Sequence, residues 1–163
     1  KVFVTVHSSP TRIVIVGAVH IAQSLVKLSR IANFDPIVID SRSGFANSDR
    51  FDLENIIEEW PDTALSELSI DRNTAIVLLT HDPKLDDPAL KIALNSNAFY
   101  IGALGSKKTH AARKDRMEKL GFGPESTKRI SGPIGLKIGA SNPAEIAVSI
   151  LAEIISKLRQ HKE

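Results

Sequence analysis

Short apolar stretches alternate with longer amphipathic stretches along most of this chain. β-branched and other apolar residues fill the centres of residues 12–16, 36–40, 73–80 and 98–102. Runs that are apolar at every central position are typical of strands covered on both faces of a parallel sheet. Residues 2–6 fit a further strand at an edge of that sheet.

Helical patterns fill the intervals between these strands. The predicted helices span residues 18–32, 63–68, 87–94, 106–120 and 143–158. The last helix has the clearest start, because Asn142 can cap it, Pro143 suits the first helical position and Glu145 completes a capping-box-like pattern. Its apolar side chains recur four residues apart, at Ile146, Ile150, Ile154 and Leu158.

Alternating strands and helices predict an α/β fold, namely a doubly wound, Rossmann-like parallel sheet with helices on both faces. We expect a single domain over residues 1–163 with its core at about 12–158. Residues 41–60 remain ambiguous, although Ile56 and Ile57 fit a short strand. Sheets of this kind bind ligands at the carboxyl ends of their strands.

Composition narrows the classes of partner. The 163 residues carry 21 basic and 19 acidic side chains, a net charge of +2, which argues against nucleic acid or an anionic membrane as the main partner. No apolar run approaches the length of a membrane span and no signal-peptide pattern is present, so a cytoplasmic location is expected. The sequence has no cysteine and therefore no thiolate for a metal, a disulfide or a persulfide.

The segment RIVIVGAVHIA, residues 12–22, resembles the strand and glycine turn of a dinucleotide site. Val19 occupies the position of the second glycine of that motif, and its β-carbon obstructs a pyrophosphate and restricts φ to negative values. Gly17 and Ala22 are also explained by the turn and by close packing of the helix. His20 lies in the first helical turn, where it tends to be neutral.

Polar side chains follow the next strands. Asp40 lies 23 residues after Gly17, close to the position of a ribose-binding acid, but an isolated Asp can equally cap a turn. Arg42 beside it would receive the 2′-phosphate in a NADP enzyme. His81 follows Thr80 at a strand end, and we expect it to face the same crevice as Asp40 from a neighbouring strand.

Three carboxylates follow His81, at Asp82, Asp86 and Asp87. A metal site there is not expected, because Asp86 or Asp87 more plausibly begins the next helix with Pro88 just inside it.

Residues 102–109 (GALGSKKT) bring Ser106 to the start of a helix beside Lys107 and Lys108. Exposed amides and two lysines suit a phosphate or another anion, although the spacing is not that of a P-loop. The alternative is a serine-capped helix with solvated lysines. Residues 133–140 form an apolar loop punctuated by glycines, which suggests close approach of its backbone to protein or ligand.

Several segments together resemble one known family. They are GAVHIA, VIDSR, LLTHDPKLDDPAL, YIGALGSKKTHAAR and, above all, PIGLKIGASNPAEIAVSILAEI. Over about residues 12–158 the sequence is similar to the C-terminal Rossmann domain of the XdhC/CoxI family, accessory proteins of xanthine dehydrogenase and related molybdenum hydroxylases. The family usually reads Gly-Ala-Gly-His at the first turn, where Val19 departs from it, and its separate N-terminal domain is absent from this sequence.

The resemblance implies a cofactor-binding accessory protein rather than an enzyme, with no catalytic residue and no metal site. It would bind the molybdenum cofactor, a phosphorylated pterin dithiolene, keep it sulfurated and pass it to a hydroxylase apoenzyme. The resemblance and the strand-end argument together assign the cofactor site to Gly17, Ala18, Val19, His20, Asp40, Arg42, His81, Gly105, Ser106 and Lys107.

A sulfurtransferase and a second copy of the chain are further expected partners. Two other classes remain open at this stage. One is an NAD(P)-dependent oxidoreductase or nucleotide-binding domain, and the other is an interaction domain that only docks the hydroxylase.

Overall fold

The computed structural model describes residues 10–42, 44, 51 and 56–162, with side chains to residue 160. The strand predicted at residues 2–6 lies outside these residues. The described strands are β1 (Arg12–Val16), β2 (Asp35–Ile39), β3 (Ile56–Ile57), β4 (Thr74–Leu78), β5 (Tyr100–Ala103) and β6 (Ile130–Ser131). They form one sheet in the order β3-β2-β1-β4-β5-β6, and every pair is parallel.

The centre of the sheet explains why its strands are apolar throughout. Ile13 and Ile15 of β1 belong to the core on one face, and Val14 and Val16 belong to the core on the other. All four side chains are fully buried, as expected of a central strand with helices on both sides. The predicted fold class is therefore confirmed.

Two of the described helices pack on one face of the sheet and three pack on the other. They are α1 (His20–Ile31), α2 (Pro61–Glu67), α3 (Pro83–Asn95), α4 (Lys107–Lys119), α5 (Pro124–Thr127) and α6 (Pro143–Lys162). Buried residues of α1 and α6 pack against one face, and those of α2, α3 and α4 pack against the other.

The predicted start of α3 is wrong. The helix begins at Pro83, because Asp82 caps it by accepting a hydrogen bond from the Lys84 N–H at 2.9 Å. Asp86, which the sequence offered as a cap, is a buried residue of the first turn, and Pro88 lies inside the helix. Asp82-Pro83 and Asp87-Pro88 both fit a cap followed by a first helical residue, and the earlier pair takes this role here.

Three short elements complete the sheet and its connections. Ile56 and Ile57 form β3, as the sequence suggested, and pair with Val38 and Ile39 of β2. The single-turn helix α5 and the two-residue strand β6 were not predicted, because neither is long enough to show a period.

The strand order places a crevice above the middle of the sheet. From β1 the chain proceeds through β2 to β3 on one side, and it then crosses to β4 on the other side of β1. The loops after β1 and β4 therefore diverge at a topological switch point, which is where such sheets bind their ligands.

Candidate functional site

The turn after β1 is built for close packing. Gly17 has φ of +107°, and a Cβ at this position would lie 2.9 Å from Cγ2 of Thr80. The next residue, Ala18, is fully buried. Glycine is therefore required at position 17 by both its backbone conformation and its neighbour at the end of β4.

Val19 is the N-cap residue of α1, with φ of −87° and ψ of 175°. The negative φ predicted from its β-branched side chain is confirmed. Its side chain cannot accept a hydrogen bond, so the first amides of α1 have no side-chain cap in the described structure. His20 follows as the first residue of the helix and is exposed.

The Asp40 carboxylate lies at the carboxyl end of β2 and is 2% exposed. One oxygen, Oδ2, accepts hydrogen bonds from the Ala18 N–H at 2.8 Å and from Arg42 Nη2 at 2.6 Å. The other, Oδ1, accepts from the Arg42 N–H at 3.0 Å and Nε at 2.8 Å. Both oxygens are thus engaged within the chain, and Asp40 fastens the turn after β1 to the turn after β2.

The charge state of Asp40 follows from these bonds. Burial by itself raises the pKa of Asp40, but the hydrogen bonds from Arg42 and from the Ala18 N–H outweigh it, so the pKa lies below its ordinary value. The carboxylate is charged at neutral pH and balances Arg42, whose side chain is 40% exposed.

Arg42 and His81 lie at the same edge of the sheet, but not on adjacent strands. The hydrogen bond to Asp40 raises the pKa of Arg42, and the charge of Asp82, after β4, acts in the same direction. His81 is exposed and adopts a left-handed φ of +59°, uncommon for a residue other than glycine. The expectation that Asp40 and His81 end neighbouring strands is wrong, because β1 separates β2 from β4.

The turn before α4 has the geometry of a capped helix start. Ser106 Oγ accepts a hydrogen bond from the Thr109 N–H at 3.1 Å. Gly105 has φ of +140°, and a Cβ there would lie 3.0 Å from the Thr109 side chain. Lys107 is exposed beside this turn. The anion site expected here stays a prediction, because the serine also serves as an ordinary cap.

A buried polar network beside the crevice was missed by the sequence analysis. Thr80 Oγ1 donates to Asp86 Oδ1 at 2.5 Å, and Arg113 Nη2 lies 3.5 Å from Asp86 Oδ2. The same Nη2 donates to the carbonyl oxygen of Leu104 at 2.8 Å. These contacts join the ends of β4 and β5 to α3 and α4.

Burial dominates the titration of this network. It raises the pKa of Asp86, although Thr80 and Arg113 act in the opposite direction, and it lowers the pKa of Arg113. Arg113 and Met117 are the buried residues of α4, and their spacing of four residues is the sequence signal that could have identified a buried arginine.

His110 is a second residue that the sequence analysis missed. Its ring packs directly on Gly132, where a Cβ would overlap with His110 Nδ1. This Nδ1 is buried without a hydrogen-bond partner in the described structure, as are Nε and Nη1 of Arg113. Burial, together with the charges of Lys114 and Arg113, lowers the pKa of His110 and keeps the ring neutral.

The loop after β6 is held by one carboxylate of α6. Glu153 accepts hydrogen bonds from the Gly135 N–H at 2.7 Å, the Tyr100 hydroxyl at 2.6 Å and the Ser131 hydroxyl at 3.0 Å. Burial and the neighbouring Glu153 raise the pKa of Tyr100, so its hydroxyl remains a donor. The loop therefore has a fixed backbone.

Metal sites and membrane spans are both absent from the described part of the chain. Among the side chains described for residues 10–42 and 56–160, no group of three or more histidines, aspartates or glutamates could hold a metal ion. None of the helices described there is both long and apolar enough to cross a membrane.

A doubly wound sheet with a glycine turn and a helix start at its switch point is typical of a Rossmann-type domain. The family model for the XdhC Rossmann domain matches residues 13–154. The chain therefore belongs to the XdhC Rossmann domain family.

Individual relatives agree with this assignment. The chain is 38% identical over 109 residues to the molybdenum cofactor insertion chaperone PaoD of Escherichia coli (strain K12), covering 67% of this chain and 33% of PaoD. It is 34% identical over 145 residues to a probable xanthine dehydrogenase subunit of Bacillus subtilis (strain 168), covering 88% of this chain and 42% of that protein.

A solved structure has the same fold. The crystal structure of a xanthine dehydrogenase from Bacillus halodurans matches with a TM-score of 0.81 and 30% identity, over 94% of this chain and 44% of that one. The chain thus spans less than half the length of each of these three relatives.

Proposed function

We propose that this domain is the cofactor-binding part of an accessory protein for a molybdenum hydroxylase. It binds the molybdenum cofactor and assists its insertion into the apoenzyme. The observation that carries the proposal is membership of the XdhC Rossmann domain family, in which a relative 38% identical to this chain is named a molybdenum cofactor insertion chaperone.

The residues at the carboxyl edge of the sheet fit such a cargo. The cofactor is an anionic pterin derivative, and the amides at the start of α1, which have no side-chain cap in the described structure, can donate hydrogen bonds to an anionic group. Lys107 adds a cation at the start of α4, and Arg42 adds a partly exposed guanidinium after β2. These residues bind and orient the cargo.

Sulfuration of the cofactor would depend on a source outside this domain. The 163 residues contain no cysteine, so the domain has no thiol that could carry a sulfur atom. We therefore include a sulfurtransferase among its proposed partners, together with the hydroxylase apoenzyme. A second copy of the chain remains a proposed partner as well.

An NAD(P)-dependent oxidoreductase is less well supported. A ribose that used Asp40 would have to displace hydrogen bonds from Ala18 or Arg42, because both carboxylate oxygens are already engaged. The side chain of Val19 also stands where the dinucleotide motif has its second glycine.

The test is retention and transfer of the cofactor. The protein would be incubated without oxygen with molybdenum cofactor released from a purified hydroxylase and then separated by gel filtration. Molybdenum content and the fluorescence of the oxidised pterin would be measured in the protein peak. Activity of cofactor-free xanthine dehydrogenase, mixed with the loaded protein, would report insertion.

Matched variants make the test specific. Lys107→Gln should weaken retention several-fold, whereas Lys119→Gln removes the same charge from the opposite end of α4 and should leave it unchanged. Tight binding of NADP with no retained pterin would overturn the proposal in favour of the oxidoreductase.

A further inference from the structure

We propose that a cavity between the β5–α4 turn and the loop at residues 133–140 binds the flat ring of an anionic heteroaromatic ligand, with its phosphate at Lys107 and Lys137. The inference rests on the proposed function in one respect, since the pterin of the molybdenum cofactor is one source of this chemistry. A nucleotide is the other source.

The cavity has the size and the wall that such a ring requires. Its volume is about 380 Å³, and it lies beyond the ends of β5 and β6. Ligand cavities are typically a few hundred cubic ångströms, lined mainly by apolar side chains with few polar groups. The apolar side chains here are Leu104, Ile134, Leu136, Ile138 and Ile146.

The loop holds apolar side chains in solvent although its own backbone is fixed. The Leu136 N–H donates to the Ser149 carbonyl oxygen at 3.1 Å, and the Ile134 N–H donates to that of Ala103 at 3.2 Å. Leu136 is nevertheless 44% exposed and Ile138 is 52% exposed. Exposed apolar side chains beside a cavity are typical of a surface that a ligand covers.

The backbone of this loop also approaches α6 closely. Gly135 has φ of +93°, and a Cβ there would overlap with Ser149 Oγ. The Gly135 N–H is bonded to Glu153. The cavity wall is therefore formed before a ligand arrives, which lowers the entropy lost on binding.

The charged side chains of the cavity favour a ligand of negative charge. Lys107 and Lys137 line it and are exposed, and no aspartate or glutamate is among its described lining residues. An apolar wall beside two ammonium groups suits a ring that carries a phosphate, because the ring displaces water from the wall and the phosphate pairs with the lysines.

Binding of two probes to three variants tests the assignment. The first probe is the released molybdenum cofactor, whose binding is measured by retention on gel filtration. The second probe is AMP, whose binding is measured by calorimetric titration. Ile138→Glu and Lys137→Gln should each weaken binding of whichever probe the wild type binds, by about tenfold. Ile31→Glu is the matched control, because Ile31 is 79% exposed on α1 and does not line the cavity, and it should change affinity less than twofold.

The outcomes separate this inference from the proposed function. Retention of the cofactor by the wild type but equally by Ile138→Glu and Lys137→Gln would overturn the cavity assignment and leave the proposed function standing. Binding of AMP alone, lost in both variants, would support the cavity and overturn the proposed function. If neither probe binds, both are overturned.

Folding of the variants is verified independently. Their melting temperatures and far-UV circular dichroism should match the wild type, because the altered side chains are exposed. Where AMP binds, photolabelling with 2-azido-AMP should mark residues 133–140. Labelling confined to other segments would contradict the assignment.

Discussion

The carboxylate of Asp40 accepts a hydrogen bond from the main-chain N–H of Ala18 at 2.8 Å, across 22 positions of sequence. A side chain at the end of β2 thus holds the turn that follows β1. The same position binds a ribose in dinucleotide domains, and here its oxygens are engaged by the protein itself.

Removing the charge of Asp40 should therefore destabilise the fold. Asp40→Asn weakens the bonds to Ala18 and Arg42, and we expect the free energy of unfolding to fall by about 1.5–3 kcal/mol, the range for hydrogen bonds to charged groups. Urea denaturation would measure it. Asp115→Asn is an exposed control that should stay within about 0.5 kcal/mol of the wild type. An equally small effect at both positions would show that the hydrogen bonds of Asp40 to Ala18 and Arg42 do not stabilise the fold.

Val19 should limit the binding of nicotinamide nucleotides. The wild type should bind NAD and NADP weakly, and Val19→Gly should tighten binding by up to about tenfold, or ~1.4 kcal/mol, because it removes a side chain from the path of the pyrophosphate. Calorimetric titration at fixed salt would measure both variants, with Val19→Ala as the intermediate step. Tight wild-type binding would instead support the oxidoreductase.

The contact between Gly132 and His110 should make position 132 intolerant of a side chain. Gly132→Ala places a methyl group against the imidazole, and we expect it to cost about 1–3 kcal/mol of stability, as overpacking does. Gly123→Ala is the control, because nothing lies within 4 Å of a Cβ at that position. Adding His110→Ala should recover part of the loss, and independent, additive effects would refute the contact.

His110 should also give the protein a pH-dependent stability. Its pKa is lowered in the folded state, chiefly by burial, while in the unfolded chain it returns to about 6.5. As the pH falls below that value the unfolded state binds a proton that the folded state resists, so stability is lost. The free energy of unfolding, measured from pH 7.5 to 5.5, should change less steeply with pH in His110→Gln than in the wild type. Equal slopes would show that the ring titrates normally.

Ser106 should contribute to stability as the cap of α4. Ser106→Ala removes the acceptor for the Thr109 N–H, which costs about 1 kcal/mol in typical helices. Thermal and urea unfolding, measured with and without phosphate, would distinguish the capping role of Ser106 from a role in anion binding. If phosphate stabilises the wild type but not Ser106→Ala, the serine takes part in anion binding; equal stabilisation would assign it to the cap alone.

The elements that could be predicted were those whose pattern is local. β1 and the start of α6 agree with the sequence-based bounds, because a buried run and an Asn-Pro helix start are both visible within a few residues. Asp82 and Asp86 could not be assigned correctly by the same reasoning. Each lies next to or near a proline, and only the packing of Asp86 against Thr80 and Arg113 decides which one becomes the cap.

The candidate site was predicted less completely than the fold. Parallel strands bring their carboxyl ends to one edge, so the general place of His81 and Lys107 follows from topology. The roles of Arg113 and His110 do not, because α4 is polar along its length and the partners of these residues lie in other elements. The four-residue spacing of Arg113 and Met117 indicates a buried side of α4, but it does not reveal that Asp86 and Leu104 are the partners of the arginine.

Thr80 touches the glycine turn with its methyl group and binds Asp86 with its hydroxyl, and Asp86 in turn meets Arg113. One small side chain therefore serves two neighbours of different chemistry. Valine at position 80 would keep the methyl contact with Gly17 but would not donate a hydrogen bond to Asp86. Serine would keep the hydrogen bond to Asp86 but would lose the methyl contact. Within the family, residues at the positions of Thr80, Asp86 and Arg113 should consequently change together during evolution, and a lineage that loses the arginine should have lost the acid as well.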